Sequence, residues 1–229
     1  MELSIDTSSE NAGIAISDKG RIVMEYIWNC RQNHTVELVP NIEKALKDHS
    51  LKIRQMQAVF VAMGPGSFNG VRVGISAAKG FAMALDVPLV AVSTLEIEAY
   101  AFAAARLPIR PVQNAGRGEI ATSLYQQRDE WDRLMHEYIT TTEEICRATS
   151  TETVFCGEIP ALSLEQIQSV LGKLAVIPDE EERRRRPRFL AELAWKRLCR
   201  GILDDPVVLQ PIYLRQPPIT MSKKGVIKK

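Results

Sequence analysis

The chain lacks most of the features that announce a function directly. Its four cysteines (Cys30, Cys146, Cys156 and Cys199) are scattered with no CxxC pair, which argues against a disulfide framework and for a reducing compartment. Its three histidines (His34, His49 and His136) share no zinc-type spacing. Net charge is only +1, so no global field draws the chain to nucleic acid or to a membrane surface. No apolar run approaches the ~20 residues that span a bilayer. The opening MELSIDTSS is polar and acidic, unlike a secretory signal. Together these absences point to the cytoplasm. No tandem repeat with a solenoid-type period occurs. What remains is 229 residues with 45% hydrophobic and 25% charged content, enough for one large domain or two small ones.

Short apolar runs at Leu3–Ile5, Gly13–Ser17 and Ile22–Trp28 predict three strands. Asp6–Asn11 and Asp18-Lys-Gly20 supply the turns between them. His34–His49 has helical periodicity, with Pro40 either kinking it or sitting in its first turn. Pro88–Val92 predicts a strand, and Ser93, Thr94 and Glu96 can cap the helix that follows. Three strands and then helices alternating with single strands indicate a mixed sheet. The prolines of Leu107–Pro111 mark the boundary to a second unit. There, Pro111–Asn114 and Glu119–Gln126 predict a hairpin, Trp131–Thr140 a further strand, and Thr142–Thr149 and Ser163–Leu171 helices. Val154–Cys156 and Leu174–Ile177 predict short strands, and Arg188–Ile202 a final helix. The units are then 1–106, 107–221 and a basic, disordered tail at 222–229.

The most informative stretch is Gln57–Leu85. A buried strand (Ala58–Met63) enters a glycine turn (Gly64–Gly70) and then a helix that is apolar nearly all round, and so is covered on more than one side. Gly70, Gly74 and Ala77 recur on one face with Ala78 beside them, which lets another backbone approach closely. The turn lacks the Gly-Lys-Ser/Thr ending of a Walker loop and the third glycine of GxGxxG. A tight, close-packed turn is therefore preferred over a phosphate cradle. Asp6-Thr7-Ser8 could hold a metal-bound phosphate, but an Asx or Ser/Thr turn explains it better. A hairpin likewise accounts for Asn114–Glu119. His34 reads as a capping or interface residue, and the run Asp179–Arg186 as a solvated segment whose charges cancel. No nucleophile can be assigned around Ser67.

Ile5-Asp6-Thr7-Ser8, His34-Thr35, Leu38-Val39-Pro40 and the block GPGSFNGVRVGISAAKGFAMAL with VPLVAVSTLE resemble the bacterial TsaB family, also called YeaZ. Pro211–Arg215 is a weaker match. The likeness is dense in the first half and thin in the second. It implies an α/β fold of two RNase H-like domains of the actin, hexokinase and heat-shock ATPase superfamily, with the last helix packing back on the first domain. It implies a non-catalytic dimerisation subunit for N6-threonylcarbamoyladenosine synthesis in tRNAs that read ANN codons. The implied partners are a metal-binding catalytic paralogue (TsaD-like) and a P-loop ATPase (TsaE-like), with tRNA met only through the complex and a homodimer in isolation. No cofactor is implied.

Catalytic relatives carry His-x-Glu-Gly-His where this chain has Thr94-Leu-Glu96-Ile-Glu98, so both imidazoles are replaced. Asn69 stands where the family has Thr. Asn114-Ala-Gly-Arg117 departs from Asp-Ala-Arg. The resemblance places the pairing surface on His34, Val36, Leu38, Ile42, Gly70, Val71, Gly74, Ala77, Ala78 and Phe81. It leaves Asp6, Thr7, Gly64, Gly66 and Ser67 as a vestigial anion loop. A bulky residue at Gly74 is then expected to abolish pairing and to spare the monomer. The rivals are a stand-alone phosphotransferase or M22-type metallopeptidase, and a free-standing RNA binder.

Overall fold

The computed structural model describes residues 1–31 and 33–215. The expected tail at 222–229, and the end of the second unit at 216–221, lie outside the described residues. The first half contains β1 (Glu2–Asp6), β2 (Asn11–Asp18), β3 (Arg21–Asn29), α1 (His34–Asp48), β4 (Ala58–Ala62), α2 (Phe68–Leu85), β5 (Leu89–Val92) and α3 (Thr94–Tyr100). The second contains β6 (Pro108–Gly116), β7 (Glu119–Gln127), β8 (Trp131–Thr140), α4 (Thr142–Ala148), β9 (Thr153–Cys156), α5 (Ala161–Leu171) and β10 (Ala175–Val176). Two helices close the chain, α6 (Glu180–Arg183) and α7 (Pro187–Cys199).

The first sheet has the order β3-β2-β1-β4-β5 and the second β10-β9-β6-β7-β8. These are the same topology: each sheet opens with an antiparallel meander (β1–β3, β6–β8) and adds two parallel strands beside its first. The fold is thus α/β, two mixed sheets of RNase H type in the actin-like arrangement.

Alternation along β4 explains how one strand serves two layers. Val59 and Val61 join the core formed with Leu38, Ile42, Val71 and Ile75 of α1 and α2. Ala58, Phe60 and Ala62 point to the opposite face, where Leu190, Leu193 and Ala194 of α7 cover them. Both faces of the sheet are therefore closed, which is why β1, β4 and β5 are buried at every position. The final helix belongs by contact to the first half, packing on β1–β5 and α3.

Three elements differ from the sequence reading. The Leu107–Pro111 stretch is largely strand, not linker. Pro111 has no N–H for the β6–β7 ladder, and the Thr122 hydroxyl donates to its carbonyl at 2.7 Å, so a central strand accommodates the proline. The last helix starts at Pro187, whose missing N–H costs nothing at a first helical position. It stops before Gly201, at φ +71°, short of Ile202. The helical turn α6 was not expected.

Leu190 is fully buried between α7 and the sheet. Leu190→Ala should lower unfolding stability by about 2–5 kcal/mol, measured by denaturant titration. A change near zero would contradict this packing.

Candidate functional site

The two halves meet at the carboxyl ends of β1 and β6, where the glycine loop, the Asp6–Ser8 turn, α3 and the α6–α7 connection converge. The glycine loop spends its polar groups inside the chain. Ser67 N–H donates to the Ser8 carbonyl at 2.7 Å and Val71 N–H to the Ser67 carbonyl at 2.9 Å. Gly70 N–H reaches the Ser67 hydroxyl at 3.4 Å. The Thr7 hydroxyl donates to the Gly70 carbonyl at 2.7 Å. Ser8 N–H donates to Asp6 Oδ1 at 3.0 Å, an Asx turn, and the Ser8 hydroxyl donates to the same oxygen. The N–H groups of Ser67, Gly70 and Val71 are thus committed to the chain itself.

The small-residue face of α2 grips this turn. A Cβ on Gly66 would overlap the Ser8 carbonyl, one on Gly70 the Thr7 carbonyl, and one on Gly74 the Thr7 hydroxyl. His34, first residue of α1, holds the same turn from the other side, its Nε2 lying 2.9 Å from the Ser9 carbonyl. These contacts involve several of the residues expected on the pairing surface. His34, Leu38, Ile42, Gly70, Val71, Gly74 and Ala78 are buried within the chain itself. Spacing correctly predicted a close backbone approach, but the approaching backbone is the chain's own Thr7–Ser8. Ala77 and Phe81 are half-buried against the core. Val36, at 68% exposure, is the member of the set that faces outward, joined by Val39 at 52% and Met83 at 62%.

Behind the turn lies a buried charge cluster. Arg185, on the α6–α7 connection, has a side chain only 3% exposed. It donates from Nε and Nη2 to Glu98 Oε1 at 3.1 and 3.0 Å, and from Nη2 to Glu158 Oε1 at 3.3 Å. Its Nη1 donates to the Ser8 hydroxyl and lies 3.6 Å from Asp6 Oδ1. Gln113 Nε2 donates to Glu98 Oε1 at 2.9 Å. Burial pushes the Glu98 carboxyl up to about 7, against the opposing pull of Arg185 and the Gln113 bond. Every donor converges on Oε1 while Oε2 has none, an arrangement that suits a proton on Oε2. Burial alone would lower Arg185, but Asp6, Glu98 and Glu158 outweigh it and hold the guanidinium protonated.

The Thr94–Glu98 window offers no imidazole. Glu96 pairs with Arg197 at 2.5 Å, Glu98 with Arg185, and the Thr94 hydroxyl is buried without a partner. Among the described residues, no group of three or more His, Cys, Asp or Glu side chains is placed to hold a metal. Asn114–Glu119 forms the β6–β7 hairpin, Asn114 Oδ1 accepting from Gly116 N–H at 2.8 Å. A cavity of about 210 Å³ opens between that hairpin and the glycine loop, lined in part by Gly66, Phe68, Gln113, Tyr213 and Arg215.

Arg185 is the residue that sequence reasoning missed. It lay in a run read as solvated, and its neighbours partly fit that reading: Arg184 makes an exposed pair with Glu181, and Arg186 pairs with Glu25. Its own partners, Ser8 and Glu98, are 177 and 87 positions away. Arg185 is the third of four consecutive arginines before Pro187, and nothing local sets it apart from its neighbours.

Comparisons with known proteins agree with this geometry. Residues 28–176, more than half of the chain, match the family model described as TsaD, tRNA N6-adenosine threonylcarbamoyltransferase. The tRNA threonylcarbamoyladenosine biosynthesis protein TsaB of Bacillus subtilis is 31% identical over 221 residues, 93% of each chain. The protein of that name from Escherichia coli is 33% identical over 93 residues, 41% of this chain and 40% of that one. A Pseudomonas aeruginosa structure described as similar to peptidase YEAZ superposes with a TM-score of 0.79 at 24% identity, covering 93% of this chain and 99% of the other. It supports the fold.

Two substitutions test the site. Because folding raises the Glu98 value from 4.5 to about 7, the folded chain binds that proton more tightly than the unfolded chain. Stability is therefore greatest below the ordinary carboxylate value and falls, on the order of 2–3 kcal/mol, as pH rises through neutrality. Glu98→Gln should flatten that fall in denaturant titrations at acidic and mildly alkaline pH; an unchanged slope would refute the assignment. Gly74→Val should destabilise the monomer itself by about 1–3 kcal/mol through overpacking against Thr7. A wild-type melting temperature would refute it.

Proposed function

The chain belongs to the TsaB (YeaZ) family, and from that premise we propose that it is a non-catalytic subunit of tRNA threonylcarbamoyladenosine biosynthesis. It pairs with a metal-binding, TsaD-like paralogue and supports a TsaE-like ATPase, meeting tRNA only through the complex. The observation that carries the reading is the Thr94–Glu98 window. Glu96 and Glu98 are each neutralised by an arginine of the chain's own last segment, so the carboxylate that relatives direct to a metal is spent on structure. Asp6, whose carboxylate is tied to Ser8 and faces Arg185, weighs against a stand-alone phosphotransferase, and the absence of imidazole in the window against a metallopeptidase. No helix among the described residues is long and apolar enough to cross a membrane. We place the protein in the cytoplasm, where such a complex works.

Pairing belongs to the outer faces of α1 and α2. Val36, Val39 and Pro40 are exposed on α1, Gly80, Met83 and Ala84 on α2, with Ala77 and Phe81 half-exposed between the helices and solvent. Monomers seldom leave apolar side chains grouped in this way without covering them. A similar fold presenting the same two helices supplies a self-complementary surface, so the isolated chain pairs with a second copy.

Two experiments test the proposal. Depletion of the protein in its native cell should reduce threonylcarbamoyladenosine in tRNA hydrolysates, and an unchanged nucleoside profile would remove it from the pathway. Val36→Glu with Val39→Glu should weaken pairing by about thirtyfold or more, the effect of hot-spot residues. Because both side chains face water, the melting temperature of the isolated monomer should not move. An unaltered dissociation constant would reject this interface.

A further inference from the structure

We infer that Arg185 is a resident counter-cation that locks the cleft between the two halves shut, occupying the place where an exchangeable cationic ligand would otherwise sit. Asp6 belongs to the end of β1 and Glu98 to α3, both in the first half, while Glu158 follows β9 in the second. A single guanidinium contacts all three and the Ser8 hydroxyl besides. All of its nitrogens are engaged, and its planar fork matches carboxylates presented from several directions. The contact therefore joins the halves through one side chain that arrives on a third segment.

The surroundings are tight on the Glu98 side, although the Glu158 side chain is half exposed. Gly157, beside Glu158, has φ +87°, and a Cβ there would lie 2.7 Å from Glu98 Oε2 and 2.9 Å from the Val112 carbonyl. The second half's backbone is thus pressed against the carboxylate of the first. Arg183 fastens the same corner, donating to the carbonyls of Gly157 at 3.2 Å and Pro178 at 3.0 Å. Asp6 and Glu98 are nevertheless buried acids that each keep one oxygen without a partner. Arg185 is the cation beside both of them, and a buried acid that ionises needs such a partner. In a cleft that opens and closes on a ligand the charge would come and go; here it is covalently part of the chain. The halves accordingly behave as one rigid unit, in keeping with a scaffold and independent of which partner it binds.

Chemical rescue tests the lock in the full-length chain. Arg185→Ala should melt at a lower temperature. Its amides in β6 and around Gly157 should exchange with solvent about tenfold faster or more, because removing one member of a buried ion cluster leaves the others uncompensated. Millimolar guanidinium ion should restore both properties saturably, whereas sodium chloride at matched ionic strength should not, and the wild-type protein should respond to neither. Wild-type exchange in Arg185→Ala, or equal restoration by sodium chloride, would overturn the inference. If Arg185→Ala does not fold, the paired change Arg185→Met with Glu98→Gln removes the guanidinium together with one acid. Faster exchange around Gly157 in that protein supports the lock, and wild-type exchange overturns it.

Discussion

The end of β1 is the point on which the structure rests. Its turn, Asp6-Thr7-Ser8, is held by the glycine face of α2 on one side, by the His34 ring at the start of α1 on another, and by Arg185 from behind. Each grip depends on a close approach that a larger or differently charged residue would prevent. Because β1 is the central strand of the first sheet, anything that fixes its end fixes the helices on one face and, through α7, the layer on the other. The turn that could have served a ligand has become the meeting point of the fold's own elements.

Electrostatics reinforces that steric arrangement. Burying a carboxylate is costly unless a partner accompanies it, and the chain buries two beside a single guanidinium. Glu98 responds by holding its proton up to about 7, while the same guanidinium lies 3.6 Å from Asp6 Oδ1. Glu96, two residues before it on α3, is compensated separately by Arg197 of α7. The Thr94–Glu98 window is thus tied to the last helix and the connection before it, and that tie gives it a structural role.

Most of the architecture was legible in local pattern. The strands β1 to β5 and helices α1 and α2 follow from period-two and helical spacing. The order of the second sheet was not legible; only the pairing of strands far apart in the chain reveals that it repeats the first. The prolines of Leu107–Pro111 misled because prolines mark boundaries, whereas β6 already begins at Pro108. Arg185 misled because it differs from Arg184 and Arg186 in nothing a local window can register.

By itself, the amino-acid sequence determined the element order, the α/β class, the family and the need for a close backbone approach along Gly70 and Gly74. Those properties reside in periodicity, turn chemistry and residue volume, which act between near neighbours. The tertiary structure alone decided which backbone makes that approach, which of α1 and α2's apolar residues remain exposed, and where the charge of Arg185 goes. Each of these is settled by contacts between segments far apart in the chain. For such contacts the same glycine face fits an internal turn as well as an external partner, and the same arginine suits solvent as well as a buried acid. Only assembly of the two halves discriminates between them.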